Sequence, residues 1–319
     1  MKCLVTGGGG FIGNHLVRAM LDRGDSVRVL DNFSTGRRVN IPDIIDRIEL
    51  IEGDIRSFHI VRQAVEGVDV IFHEAALPSV PRSINDPITT HEVGVNGTLN
   101  LLQSARECGS GRIVFASSSS VYGNTVELPK HEMMTPAPLS PYAISKLAGE
   151  HYCQVFFQLY GVETVALRYF NVFGPRQDPT SQYSAVIPKF IQAMNQGERP
   201  VIFGDGEQSR DFTYIDNVVH ANILAATAES GVAGQVFNAA CHGQITLNDL
   251  VGALNDALGT SIEPIYMEPR LGDIKHSFAA IDKLKKATGY EPQVSFAEGI
   301  RRTAEWYIAN APLQKAVSR

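Results

Sequence analysis

Tyr142 and Lys146 stand four residues apart in the stretch SPYAISK. Ser140 followed by Pro141 reads as a helix start, with serine as N-cap and proline at the first helical position, so both side chains share one helix face. A free tyrosine, with a pKa near ~10, is a poor base at neutral pH. A neighbouring ammonium favours the phenolate, and a tyrosine so placed can take a proton from a hydroxyl group. Tyr-x-x-x-Lys alone is a common helix pattern. It gains weight from four consecutive serines, Ser117 to Ser120, which follow the run Arg112-Ile113-Val114-Phe115. Hydroxyls at the end of a strand can belong to a polar loop or be aimed at a substrate.

The head of the chain supplies a second kind of chemistry. LVTGGGGFIGNH follows a strand-like segment and opens a helix-like one. Gly8, Gly10 and Gly13 fit one dinucleotide spacing, and Gly7, Gly10 and Gly13 fit another. In either register, glycines allow a tight turn and leave the helix N-terminal N–H groups open to a pyrophosphate. Asp31 ends the next strand, 24 residues after Gly7. It can accept the two ribose hydroxyls of an adenosine, which favours NAD over NADP. Arg37 and Arg38 could meet a 2′-phosphate, but an acid at position 31 repels one. Asp54, in EGDI, stands where it could touch adenine. A nicotinamide ring would accept hydride while Tyr142 accepts a proton.

These groups need a scaffold. Apolar, β-branched runs at Cys3–Thr6, Val27–Asp31, Ile48–Gly53, Val68–His73, Ile113–Ala116 and Thr164–Phe170 alternate with helix-period segments at Phe11–Arg23, His59–Val65, Ile88–Glu107 and Tyr142–Tyr160. That alternation predicts an α/β fold, a Rossmann-type doubly wound parallel sheet covered on both faces. After Asn171 the elements shorten, with a strand at 235–240 and helices near 216–229, 246–258 and 295–310. Residues 1–172 are expected to form an NAD-binding domain, with segments around 213–240 returning to it. Residues 173–319 are expected to form mainly a smaller α/β substrate domain.

A net charge of −6 and a pI of about 5.9 give no footing for nucleic acid or an anionic membrane. No apolar run approaches the ~20 residues of a membrane span. Four scattered cysteines without a CxxC read as free thiols in a reduced, cytoplasmic compartment, and no metal site is expected.

The chain resembles the extended short-chain dehydrogenase/reductases, and within them the UDP-hexose 4-epimerases. The motifs run along most of its length: TGGGGFIG, LDNFSTG, GDIR, HEAALPSVPRSINDP, VNGTLNLL, FASSSSVYG, SPYAISK, LRYFNVFGPRQDP, IFGDGEQSRDFTYIDNV and PRLGD. ALPSVPRSINDPITT and SPYA look closest to the UDP-N-acetylglucosamine 4-epimerase branch.

The resemblance implies that Tyr142 is the catalytic base, Lys146 its partner and Ser118 the hydroxyl that bonds the reacting O4. Ser117 and Ser119 would be neighbours able to touch sugar or cofactor, and Ser120 a turn cap. It places Gly7, Gly10, Phe11, Ile12 and Gly13 on the cofactor pyrophosphate, and Asp31, Asn32, Ser34 and Gly36 on the adenosine ribose. Asp54 and Ile55 would hold the adenine, Ala75 and Ala76 would line the cofactor, and Tyr169 would reach the nicotinamide side. For the UDP-sugar it implies Asn171, Arg210 and Arg270 on the diphosphate. Val186, Val201 and Phe203 would meet the uracil, and Asp273 the uridine ribose. Ser277 would be a small gate that admits an N-acetyl group. It also implies a homodimer, joined in a four-helix bundle through Ile88–Glu107 and Tyr142–Tyr160.

One departure stands out. Gly94 occupies a position where the family usually carries Asn, which helps position the lysine; restoring Asn is expected to be harmless or helpful. The expected activity is 4-epimerisation of both the N-acetylated and the plain UDP-hexoses. The alternatives are a UDP-glucose 4-epimerase without N-acetyl activity, or a related dehydratase or decarboxylase. Dehydratases resemble TDEVYG where this chain has SSSVYG, and xylose-forming decarboxylases usually keep the Glu, so Ser119 and Ser120 argue against elimination chemistry. A non-catalytic regulator of this fold would lack Tyr142 or Lys146.

Overall fold

A computed structural model describes residues 1–178, 186–229, 231–269 and 275–310. The first half alternates as β1 (Lys2–Thr6), α1 (Phe11–Asp22), β2 (Ser26–Asp31), β3 (Ile48–Glu52), α2 (Phe58–Val65), β4 (Val70–His73), the short helices α3 (Val80–Asn85) and α4 (Pro87–His91), α5 (Gly97–Cys108), β5 (Arg112–Ser118), α6 (Pro141–Tyr160) and β6 (Thr164–Tyr169). Then come β7 (Val172–Phe173), α7 (Val186–Asn195), β8 (Val201–Phe203), β9 (Ser209–Arg210), β10 (Thr213–Tyr214), α8 (Ile215–Thr227) and β11 (Gln235–Ala239). The described chain closes with β12 (Ile245–Thr246), α9 (Leu247–Leu258), β13 (Ile265–Met267), β14 (His276–Ser277), α10 (Asp282–Thr288) and α11 (Phe296–Ala309).

Seven strands form one parallel sheet in the order β11-β6-β5-β4-β1-β2-β3. This is the expected doubly wound α/β fold. Successive residues of β1 point to opposite faces: Cys3 and Val5 join one buried cluster, with α1 and α8, while Leu4 joins the other, with α2, α5 and α6. Both faces are dry, which is why the strands read as continuous apolar runs. β1 pairs with β2 on one side and β4 on the other, so the strand order reverses there. Ligands of such sheets bind in the crevice at the carboxyl ends beside that reversal. β11 pairs with β6 at the sheet edge, so the strand at 235–239 joins the N-terminal sheet.

α6 begins as its sequence suggests. The Ser140 hydroxyl accepts the Ala143 N–H at 3.2 Å, Pro141 occupies the first turn, and Gly161 closes the helix with φ +69°. The expected helical run over 88–107 is continuous, from Pro87 to Cys108, but it is not α-helical throughout. Residues Glu92–Asn96 form a π-helical turn between α4 and α5. Gly94 lies in it, against α6: a Cβ there would stand 2.8 Å from Ser145 Oγ and 2.9 Å from its Cβ. The Gly94 carbonyl is taken up by the Thr98 hydroxyl at 2.7 Å. Sequence periodicity does not reveal the contact of Gly94 with Ser145, since Ser145 lies on another helix.

The C-terminal part packs α7, α9 and α11 beside the small sheets β12-β9-β14 and β13-β8. Phe173, Phe212, Tyr214 and Phe296 form an aromatic cluster beneath it, with ring centroids 5.6–6.4 Å apart. Among the described residues no helix is long and apolar enough to cross a membrane.

Candidate active site

A cleft of about 760 Å³ runs over the carboxyl ends of the strands. Its floor is the glycine turn. Gly7 has φ +73°, and a Cβ there would stand 2.8 Å from the Ala75 nitrogen; at Gly13 a Cβ would fall 2.2 Å from the Gly7 carbonyl oxygen. Gly7 is therefore the turn residue, which settles the register as Gly7, Gly10, Gly13. A larger residue at either position would collide with the backbone of the turn or of the segment after β4.

Gly7, Gly10, Phe11, Ile12 and Gly13 line one part of the cleft, and Asp31, Asn32, Ser34, Gly36, Asp54 and Ile55 another. Asp31 is buried at the end of β2, accepting the Gly9 N–H at 2.8 Å and the Phe33 N–H at 2.7 Å. Burial raises its pKa, and those two hydrogen bonds pull it back. Its fixed carboxylate suits a pair of ribose hydroxyls. Asp54 accepts from Asn32 at 3.0 Å, and the Arg56 side-chain hydrogen bond leads the lowering of its pKa. Arg37 pairs with Asp178 at 3.6 Å, while Arg38 pairs with Glu52 at 2.5 Å and lies over the Phe33 ring. Both arginines are thus engaged with acids. The glycine cradle and Asp31 together fit a dinucleotide with a free 2′-hydroxyl.

Tyr142, Lys146, Ala75, Ala76 and Tyr169 line the other end of the same cleft. Lys146 Nζ donates to the Ala116 carbonyl at 2.6 Å and stands 5.9 Å from the Tyr142 ring centroid. Burial raises the Tyr142 phenol pKa; a hydrogen bond with Ser118 offsets part of that, and the Glu74 carboxylate adds to it. Burial lowers the Lys146 ammonium pKa against the pull of Glu74 and Glu150. Lys146 hydrogen-bonds the Ala116 carbonyl of β5, so any effect of the ammonium on the phenolate acts through space, with Nζ 5.9 Å from the ring centroid.

The serines separate by their hydrogen bonds. Ser118 ends β5 beside Tyr142, and its Oγ accepts the Ser120 N–H at 3.2 Å. Ser118, not Ser120, is therefore the turn cap, and the buried Ser120 hydroxyl has no partner among the described residues. Ser117 lines the cleft but donates its hydroxyl to buried Glu150, while Ser118 is not among the residues lining either cavity.

Two residues missed by the sequence reading shape this end. Glu74 follows β4 directly and accepts the Tyr169 hydroxyl at 2.7 Å. Burial pushes its carboxyl well up, with the Tyr169 hydrogen bond and the Lys146 charge opposing. An acid at the carboxyl end of a parallel strand, next to Ala75-Ala76, was the available signal. Arg168, which pairs with Glu150, left no comparable mark.

A second cavity of about 570 Å³ adjoins the cleft, and Val172 lies in both walls. Asn171, Val186, Val201, Phe203 and Arg210 all line it, although 39 positions separate the first from the last. Asn171 sits there with φ +34°, its side chain reaching the Asp211 carbonyl at 3.5 Å. Arg270 and Asp273 lie outside the described residues. Ser277 is the second residue of β14, in register with Arg210 of β9, and is not among the residues lining either cavity. Among the described residues no group of acids, histidines and cysteines could hold a metal ion.

The model of the NAD dependent epimerase/dehydratase family matches residues 3–240. With the cleft and its glycine turn, this places the chain in that family, and the cofactor of the cleft is NAD. UDP-glucose 4-epimerase of Mycolicibacterium smegmatis is 38% identical, covering 96% of this chain and 98% of the relative. The solved UDP-N-acetylglucosamine 4-epimerase of Methanobrevibacter ruminantium, in complex with UDP-N-acetylmuramic acid, superposes with a TM-score of 0.92 at 40% identity, covering 97% and 98%. UDP-glucose 4-epimerase of Thermotoga maritima, solved with UDP-glucose, gives a TM-score of 0.91 at 36% identity, covering 98% and 100%. Such relatives are isomerases, and this chain is an enzyme of the same family.

Proposed function

We propose that this protein is a UDP-sugar 4-epimerase that interconverts UDP-N-acetylglucosamine with UDP-N-acetylgalactosamine, and UDP-glucose with UDP-galactose, through a 4-keto sugar. The observation that carries the reading is the second cavity, whose wall gathers Asn171, Val186, Val201, Phe203 and Arg210 and shares Val172 with the cleft. NAD supplies a hydride acceptor and a positive ring. Tyr142 takes the O4 proton and later returns it, and Ser118 holds O4 at the phenol. Asn171 and Arg210, with Arg270, hold the diphosphate while the keto-sugar turns its other face. Val186, Val201 and Phe203 receive the uracil, and Asp273 the uridine ribose.

The substrate range rests on the resemblance, which makes Ser277 the small residue beside the sugar C2, although Ser277 is not among the residues lining either cavity. An acetamido group cannot share space with a phenol ring at close packing. The deciding experiment incubates the protein with each of the four UDP-sugars, without added NAD, and resolves the products. All four should turn over. Ser277→Tyr should remove only the N-acetyl activity. Rejection of both N-acetyl sugars by the unaltered protein would reduce the reading to a UDP-glucose 4-epimerase.

The working form is a homodimer through α4–α5 and α6. Ile144, Val155 and Leu159 lie exposed along one face of α6, with Ile84 and Ile88 exposed on the neighbouring α3 and α4. Sedimentation should give twice the chain mass, and Ile144→Glu should shift it to the monomer. Four free thiols suit the cytoplasm as its place of work.

A further inference from the structure

Glu74 stands where charge matters most in this cleft. Its backbone N–H donates to the Thr6 carbonyl at 3.2 Å, fixing it at the end of β4. Oε1 accepts the Tyr169 hydroxyl at 2.7 Å. The Asn222 amide also lies against that hydroxyl, with Nδ2 at 2.8 Å and Oδ1 at 3.0 Å, and Glu74 Oε1 is the nearer acceptor. Oε2 has no protein partner among the described residues, and Glu74 forms part of the cleft wall. Asp31 and Asp54 mark the adenosine end, over β2 and β3. Glu74, Tyr142, Lys146 and Tyr169 lie across the reversal point, over β4 to β6, which the NAD reading makes the nicotinamide end.

We propose that Glu74 sets the balance between oxidised and reduced cofactor, its half-free carboxylate on the cleft wall stabilising the cationic nicotinamide ring over the neutral one. The inference rests on the reading of the cleft as an NAD site. The two forms of the cofactor differ by one hydride and therefore by one positive charge on the ring. A carboxylate held on a partly dry wall discriminates between them, while the rest of the cofactor is the same in both forms. Burial raises the Glu74 pKa, so the discrimination is lost as pH falls and the group takes up a proton. The other titratable groups facing Glu74 are Lys146 and Tyr142 from α6 and Tyr169 from β6.

The test measures the dissociation constants of NAD+ and NADH for the nucleotide-stripped full chain, from about pH 6 to 9, in the wild type and in Glu74→Gln. Gln keeps an acceptor for Tyr169 but no charge. The preference for NAD+ should fall roughly tenfold in the variant, the size of one charge acting across a protein wall. The wild-type preference should rise with pH more steeply than that of the variant. Slopes from Lys146 and Tyr142 persist in both proteins, so the difference isolates Glu74. Glu74→Asp should regain part of the preference, and it also serves if the Gln variant does not fold. A merely structural role would weaken both nucleotides alike and leave the ratio and its pH slope unchanged, which overturns the proposal. Failure of the wild type to bind either nucleotide would overturn the NAD reading along with it.

Discussion

Arg168 of β6 and Glu150 of α6 meet in a buried two-point ion pair, with Nε–Oε1 at 2.8 Å and Nη2–Oε2 at 2.7 Å. Ser117 donates to the same Oε1, and the guanidinium lies 4.7 Å from the Tyr122 ring centroid. The pair ties the carboxyl ends of β5 and β6 to the helix that carries Tyr142 and Lys146. It therefore fixes how Ser118, one residue beyond Ser117, meets the phenol.

Glu150→Gln leaves Arg168 buried without its counter-charge. The loss should be about 3–5 kcal/mol in urea unfolding, far above the effect of cutting an exposed pair such as Arg38–Glu52. An unfolding free energy within about 1 kcal/mol of wild type would show that water reaches Arg168.

Gly94→Asn should be harmful, reversing the expectation from the family pattern. A Cβ at position 94 presses on both atoms of the Ser145 side chain, and the Ser145 hydroxyl donates to the Tyr142 carbonyl at 2.8 Å. Overpacking of this kind costs roughly 1–3 kcal/mol, and here the strain reaches the turn between Tyr142 and Lys146. Thermal unfolding and turnover check it together, and adding Ser145→Gly should restore part of both. An unchanged melting temperature in Gly94→Asn would mean that α5 can shift freely.

Tyr142→Phe should bind NAD and UDP-sugar as before and lose turnover by roughly two to four orders of magnitude, the usual weight of a positioned proton acceptor. Equilibrium binding and product analysis separate the two effects. Near-normal turnover would remove Tyr142 from its assigned role.

His73 lies beneath the cleft, buried, its ring nitrogens bonded to Thr6 Oγ1 at 2.8 Å and Thr98 Oγ1 at 3.0 Å. Burial pushes its pKa down to about 3, and the Lys146 charge pushes the same way. The unfolded chain takes the proton near pH ~6.5. Stability is therefore full above that value and lost as pH falls toward the folded pKa, by about 2 kcal/mol at pH 5. In denaturant titrations His73→Gln should show a flatter acid limb than the wild type. His15, lowered to about 4 by burial, keeps some slope in both proteins. Identical slopes would mean that His73 protonates in the folded state.

The sequence by itself determined the parts that rest on neighbours along the chain. The period of apolar residues marked the strands through Thr164 and the helix that carries Tyr142 and Lys146. Ser140-Pro141 marked its start, and the glycine run followed by Asp31 marked the turn and the buried acid on the cleft wall. These are signals of local geometry, repeated every two or four residues or confined to one turn. The tertiary structure decided what depends on segments far apart. It chose Gly7 over Gly8, because only the approach of Ala75 reveals which glycine lies at the turn. It brought Gly94 against Ser145, because α6 packs there. It tied the Ser117 hydroxyl to Glu150, because Glu150 and Arg168 wait on other elements, and left Ser118 for the phenol. It joined Asn171 and Arg210 in one wall across 39 positions. It brought Glu74 and Lys146 into each other's field, and burial moved both away from their ordinary titration. Side-chain type is written locally, whereas direction, burial and charge partners arise only when the sheet closes and distant segments share one dry space.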